Sequence, residues 1–164
     1  MSLRHNLGVK GGYRNVSVEE IPVDENTLTI EMVPATYEGV QQIASIDPYA
    51  LQQMETTAGT MSVKFEPYGD TGNMVACTDT VGSILVRGVE FTKKTRSLAV
   101  CSMGTGRIEV RENHPEGKLV AIIDTDSAEM SETKVRLAAT PASVTDLCFL
   151  FKGADLKIDS WQFR

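Results

Sequence analysis

The chain has 164 residues, 41% of them hydrophobic and 23% charged, enough for one sizeable domain plus an appendage. Its formal net charge of -6, with no basic stretch interleaved with aromatics, argues against nucleic acid or an anionic membrane surface as partner, since both select a basic face. No secretory leader and no apolar run long enough to span a bilayer is visible. Met1-Ser2-Leu3 leads directly into what reads as mid-domain sequence, so a piece of a longer chain is expected.

In chain order, residues 13–21 and 27–32 read as two strands joined by Pro22-Val23-Asp24-Glu25-Asn26, and residues 34–45 as a linker. A lone hairpin cannot bury its own apolar face. This piece must therefore pack on the rest, pair with another molecule or belong to a further domain. The boundary falls after residue 45.

Beyond it, strand signals dominate from Met61 onward. Residues 83–91 and 97–103 are continuously apolar, as in strands covered on both faces. Ile108 and Val110 alternate with charged neighbours, and the pattern recurs at Leu119, Ala121 and Ile123, at Val135 and Leu137, and at Leu147, Phe149 and Phe151. Turn chemistry separates these runs: Tyr68-Gly69-Asp70-Thr71-Gly72, Gly104-Thr105-Gly106, Pro115-Glu116-Gly117 and Lys152-Gly153-Ala154-Asp155. About eight short strands and no helical period after residue 60 predict an all-β antiparallel sandwich, a jelly roll. Cys77, Cys101 and Cys148 are too scattered for a disulfide framework and are expected as buried free thiols.

Certain segments carry a family resemblance. Residues 104–111 followed by Pro115-Glu116-Gly117-Lys118-Leu119 resemble the "GGTIEVRLDSPDGPLLG" stretch of family 6 carbohydrate-binding modules. Residues 145–153 resemble their "THDLYLVFKG" strand, Ile158-Asp159-Ser160-Trp161-Gln162-Phe163 their closing "FDWWQF", and Gln52-Gln53-Met54-Glu55-Thr56 their opening "VEAET". The matches run over residues 48–164 in the family's order. Upstream, residues 12–18, Asp24-Glu25-Asn26 and Tyr37-Glu38-Gly39-Val40 resemble the end of a family 43 glycoside hydrolase propeller, of the β-xylosidase and arabinofuranosidase type. The resemblance implies a sugar-binding module following a hydrolase tail, in a secreted or periplasmic parent.

It also implies a structural calcium, with ligands at Gln53, Glu55 and Asp159. Oxygen-only ligation suits such a hard cation. Gln53 puts a neutral amide where the family has a carboxylate, which weakens the site. The plainer alternative is that Glu55 and Asp159 hydrogen-bond strand ends.

In the family, two aromatic rings sandwich a sugar and an Asn fixes its hydroxyls. Here those positions hold Thr78, Met130 and Lys157, and the family's "NGDW" reads Val81-Gly82-Ser83-Ile84. Ring stacking contributes about 1 kcal/mol per pair beyond burial, so the usual cleft is weakened. Tyr68, Asp70, Asp79, Glu129 and Lys157 remain as candidate sugar contacts, the alternative being ordinary solvated loop residues in a structural module that packs on its hydrolase. Trp161 is expected in the core. His5 and His114 have no metal-ligand spacing. Asp124-Thr125-Asp126 with Glu129 lacks the glycine and distal Glu of a calcium loop and reads as a polar turn. No catalytic acid, base or nucleophile is assigned. The expected role is to keep a parent hydrolase near xylan-type polysaccharide.

Overall fold

The computed structural model describes residues 45–69 and 72–164, together with residues 3, 4, 15, 16, 23, 24, 26, 27, 29, 30 and 32. The chain divides into two compact units, Met1–Ile43 and Ala44–Arg164. In the first, Leu3–Arg4 (β1) pairs with Asn15–Val16 (β2), and Val23–Asp24 (β3) pairs with Thr29–Ile30 (β4). The single hairpin expected from the sequence is corrected here. Val23 and Asp24, assigned to the connection, are strand residues opposite Ile30 and Thr29, and Asn26 and Thr27 make the turn. β-branched Val23 favours an extended backbone, while Asn tolerates turn geometry. The remaining residues of the two expected strands, and residues 34–44 of the expected linker, lie outside the described residues.

The second unit is built from nine strands. These are Gln52–Gln53 (β5), Gly59–Met61 (β6), Val63–Tyr68 (β7), Gly72–Cys77 (β8), Val81–Glu90 (β9), Ser97–Glu112 (β10), Leu119–Arg136 (β11), Val144–Lys152 (β12) and Lys157–Phe163 (β13). They form an antiparallel sheet in the order β6-β9-β12-β10-β13-β8-β7, with β11 also on β10 and β5 also on β13. β6 and β7, the two ends of that order, are separated in sequence only by Ser62, so the sheet nearly closes on itself. The expected all-β antiparallel fold is what the chain forms. Among the described residues no helix is long and apolar enough to cross a membrane.

Two expected breaks are absent. Residues 97–103 and 106–111 form one strand, β10, and the runs at Leu119 and Val135 belong to a single 18-residue strand, β11. Gly104-Thr105-Gly106 is therefore not a turn, and Asp124-Thr125-Asp126 lies within β11. The glycines serve a crossing instead. One half of β10 pairs with β13 and the other with β12, and between them the chain bends. Gly104 sits at φ 93°, and a methyl group there would meet the Asp155 carbonyl oxygen at 2.1 Å. Only glycine combines that conformation with that close an approach. Opposite it, Ser102 faces Ser131 and Gly104 faces Ser127, so residues 128–130 bulge against Met103 alone.

The inward faces meet in one core that includes Met54, Val100, Ile108, Phe149, Ile158 and Trp161. Its aromatic rings touch in sequence. Phe149 lies 5.4 Å from Trp161, Trp161 5.8 Å from Phe163 and Phe163 5.0 Å from Phe91. Such pairs add about 0.5–1.5 kcal/mol each beyond burial. Cys77 and Cys148 are buried free thiols, whereas Cys101 is only partly covered because its side chain lies on the outward side of β10, between the buried Val100 and Ser102. Burial alone pushes the Cys77 thiol up to about 11.

On the outer face, Glu109 is buried beneath two cations. Lys152 Nζ donates to its Oε1, and Arg111 donates twice to Oε2, at 2.9 and 2.7 Å. The Lys152 bond, with Arg111 behind it, holds the Glu109 carboxyl below the usual glutamate range.

Two outcomes follow from these features. Gly104→Ala is expected to lower the unfolding free energy by about 1–3 kcal/mol from the strained φ alone, read by urea denaturation. Folded Glu109 takes up its proton at lower pH than unfolded Glu109. Its contribution is therefore complete above about pH 4.3, the unfolded glutamate value, and declines as pH falls toward the lower folded value. Glu109→Gln should flatten that acid limb of stability against pH. A limb of unchanged slope would contradict the assignment.

Candidate functional site

One set of candidate residues gathers where short β5 meets β13. Gln53 pairs with Ser160 and Gln52 with Trp161, and the Met54 N–H donates to the Asp159 carbonyl at 2.7 Å. Met54, in the turn after β5, is buried in the core, Gln53 is exposed and Glu55 is half-buried. The Asn73 N–H donates to Glu55 Oε1 at 3.2 Å, whereas Glu55 Oε2 is buried with no hydrogen-bond partner. Asp159 is the extra residue of a bulge, because Cys101 faces Ser160 and Ser102 faces Ile158. Its Oδ2 accepts from Ser160 Oγ at 2.8 Å.

The junction holds two carboxylates without an ion pair, as do other described positions such as Asp47, Asp126 and Asp155. Glu66, Glu109, Asp124 and Glu132 each face a lysine or arginine, but among the described residues neither Glu55 nor Asp159 forms a salt bridge. Asp159 and Glu132 add to burial in raising the Cys101 thiol above its ordinary value. A buried carboxylate oxygen with no donor is costly unless a cation or water meets it. Glu55, Asp159 and Gln53 each carry side-chain oxygens, the donor type that a hard cation takes, and backbone pairing brings their segments side by side. Among the described residues no three His, Cys, Asp or Glu side chains converge, so amide and backbone oxygens would have to complete the shell.

The second set does not share one place: Tyr68 faces Gly72 at the turn end of the β7–β8 hairpin, whereas Lys157 and Asp79 lie toward its other end. Lys157 on β13 pairs with Ala76 on one side and Met103 on the other, and Met103 faces the bulge containing Glu129 and Met130. Lys157 Nζ bonds Glu66 Oε2 at 2.9 Å, and Lys64 Nζ bonds Oε1 at 2.7 Å. Those two bonds, Lys64 first, bring the Glu66 carboxyl down to about 2. Tyr68 is exposed and shares the face of β7 with Lys64 and Glu66.

The structure therefore brings Lys157 together with Glu66, a residue the sequence reading missed. Its signal was the alternation of Lys64, Glu66 and Tyr68. Asp79 caps its own loop, accepting from the Thr80 N–H at 2.6 Å. Glu129 is exposed, with its N–H donating to Ser127 Oγ at 3.3 Å. Thr78 is exposed and its N–H donates to the Ser62 carbonyl at 3.0 Å. Asp70 lies outside the described residues. Trp161 is 1% exposed and belongs to the core. A separate hollow of about 320 Å³ is lined by Ser45, Asp47, Tyr49, Glu90, Thr92 and Lys93. The Lys93 ammonium lies 4.1 Å from the Tyr49 ring centre and covers that face.

With this geometry described, the relatives can be set beside it. No protein-family model matches the chain. Its fold is the β-sandwich of family 6 carbohydrate-binding modules. It superposes with a TM-score of 0.67 on such a module from Clostridium cellulolyticum in complex with xylose, at 15% identity, over 73% of this chain and 99% of that one. In sequence it is homologous to an arabinoxylan arabinofuranohydrolase of Bacillus subtilis (strain 168), 28% identical over 96% of this chain and 33% of that protein. A crystal structure of a glycoside hydrolase family 43 arabinoxylan arabinofuranohydrolase from Bacillus subtilis, in complex with cellotetraose, gives a TM-score of 0.82 at 27% identity. It covers 93% of this chain and 34% of that one. The chain thus spans about a third or less of the length of the curated relatives it matches.

Replacing Lys157 by alanine should raise the Glu66 titration above about 2, while Lys64 keeps it below the ordinary value. Carboxyl-carbon NMR titration reads this directly, and an unmoved midpoint would contradict the pairing.

Proposed function

We propose that the second unit is a non-catalytic carbohydrate-recognising module of a larger glycoside hydrolase that acts on xylan-type plant polysaccharide. The observation that carries this reading is the homology to an arabinoxylan arabinofuranohydrolase along nearly the whole chain, on a carbohydrate-binding-module fold. On this reading residues 1–45 are the end of the hydrolase propeller and its linker. The module does no bond breaking. It holds the polysaccharide near the enzyme and so raises the local substrate concentration.

Tyr68, Asp70, Asp79, Glu129 and Lys157 are the proposed sugar contacts, with the exposed Tyr68 ring as the stacking surface. A calcium ion at Gln53, Glu55 and Asp159 would neutralise the two unpaired carboxylates and tie β5 to β13. When bound, it supplies charge compensation and rigidity, not chemistry. A second reading, a structural module packed on its hydrolase, draws support from Thr78 and Met130 standing at the two ring positions and from the Lys157 ammonium already being held by Glu66.

Affinity electrophoresis against arabinoxylan, xylan and cello-oligosaccharides separates the two. Retardation by arabinoxylan, reduced about tenfold in affinity by Tyr68→Ala, is the expected result. Indifference to every glycan would leave the structural reading. For the ion, calcium at a hundredfold excess over its dissociation constant should stabilise the chain by about 2.7 kcal/mol. A melting midpoint identical in calcium and in chelator would remove it from the account.

A further inference from the structure

We infer that Ser160 is a positioning residue for the proposed cation site, holding the Asp159 carboxylate through its hydroxyl so that one oxygen stays free for the ion. The inference rests on the calcium reading above and concerns a residue outside the proposed ligand set. Ser160 is 4% exposed, and its Oγ donates to Asp159 Oδ2 at 2.8 Å. A donor spent on Oδ2 fixes the plane of the carboxylate and leaves Oδ1 as the oxygen open to a cation.

The backbone explains why such a brace is needed. Asp159 is the bulged residue of β13, skipped in the register with β10, so on that side no pairing residue orients it, although its carbonyl accepts the Met54 N–H at 2.7 Å. Ser160 resumes the ladder, flanked by Cys101 on one side and Gln53 on the other. It is thus fixed by backbone pairing on both sides, next to an acidic residue that is paired on one side only. Glu132, the other carboxylate opposite Cys101, is held by Arg164 through bonds of 3.1 and 3.0 Å. Among the described residues Asp159 has no comparable cationic partner, and the hydroxyl is the group that orients it. Glu55 is arranged in the same way. One oxygen is pinned by the Asn73 N–H, and the other is buried and unpaired. Each of the two proposed carboxylate ligands thus has one oxygen occupied by an uncharged donor. Outer partners of this kind typically set metal affinity by ten- to a hundredfold.

The test is calcium titration calorimetry on the 164-residue chain and on Ser160→Ala, Ser160→Cys and Ser160→Thr, with calcium-free melting curves alongside. Cysteine keeps the volume with a weak donor, and threonine keeps the hydroxyl. The expected result is an approximately tenfold or greater loss of calcium affinity in the alanine and cysteine variants. Affinity should return in the threonine variant, and the calcium-free midpoint of the cysteine variant should stay near that of the unaltered chain. Unchanged affinity in the alanine and cysteine variants would overturn the role of Ser160 while leaving the cation site standing. Failure of threonine to rescue would overturn it too, assigning the loss to packing. If the unaltered chain takes up no calcium, the calcium reading itself falls and this inference goes with it.

Discussion

Strand β10 is the constraint on which the rest of the module depends. Its sixteen residues pair with β11 along almost their whole length, with β13 at one end and with β12 at the other. A single strand shared in this way must turn from one sheet direction to the next without losing its hydrogen bonds. Gly104 makes that possible, because the backbone of Asp155 and Leu156 comes too close to leave space for a side chain. Once β10 bends, Val100 and Ile108 lie on the same inner surface, and the ring chain from Phe91 to Phe149 closes between the two halves.

Charge on this surface is handled in two ways. Where carboxylates must sit close to the sheet, as at Glu109 and Glu66, two cations converge on each and keep it ionised. Pairs of this sort on a solvated surface contribute modestly to stability, and they mainly fix side-chain positions. At the junction of β5 and β13 the protein supplies no such cation. Two carboxylates there are met by a backbone N–H and a hydroxyl, and one oxygen is left buried. Other carboxylates lack a cation too, and what sets the junction apart is Glu55 Oε2, the one carboxylate oxygen among the described residues that is buried without a hydrogen-bond partner.

The proposed sugar contacts reflect the same economy from the opposite side. A site that grips sugar needs a flat apolar face and a few free polar groups. Here Lys157 is already bonded to Glu66, Thr78 and Met130 stand where the resemblance implies rings, and the exposed Tyr68 lies at the opposite end of the β7–β8 hairpin.

How much of this was legible in the chain follows from the range of the interactions concerned. Period-two patterns in residues 106–111 and 145–151 depend only on each strand having one wet and one dry face, so the all-β class and the core position of Trp161 could be read directly. The run from Gly104 to Gly106 could not, because glycine marks a tight turn and a close crossing alike, and only the approach of Asp155 distinguishes them. Asp124 and Asp126 read as a turn because polarity is a local signal, whereas β10 beside them holds them in strand. Glu66 escaped notice because its partner Lys157 lies ninety-one residues away, and the bulge at Asp159 exists only in register with Cys101 and Ser102. The sequence alone determined which faces are apolar and which residue types carry oxygen donors. Tertiary pairing decided which donors meet and which carboxylates keep their charge unopposed, because both depend on strand register between distant segments, and no local pattern encodes that.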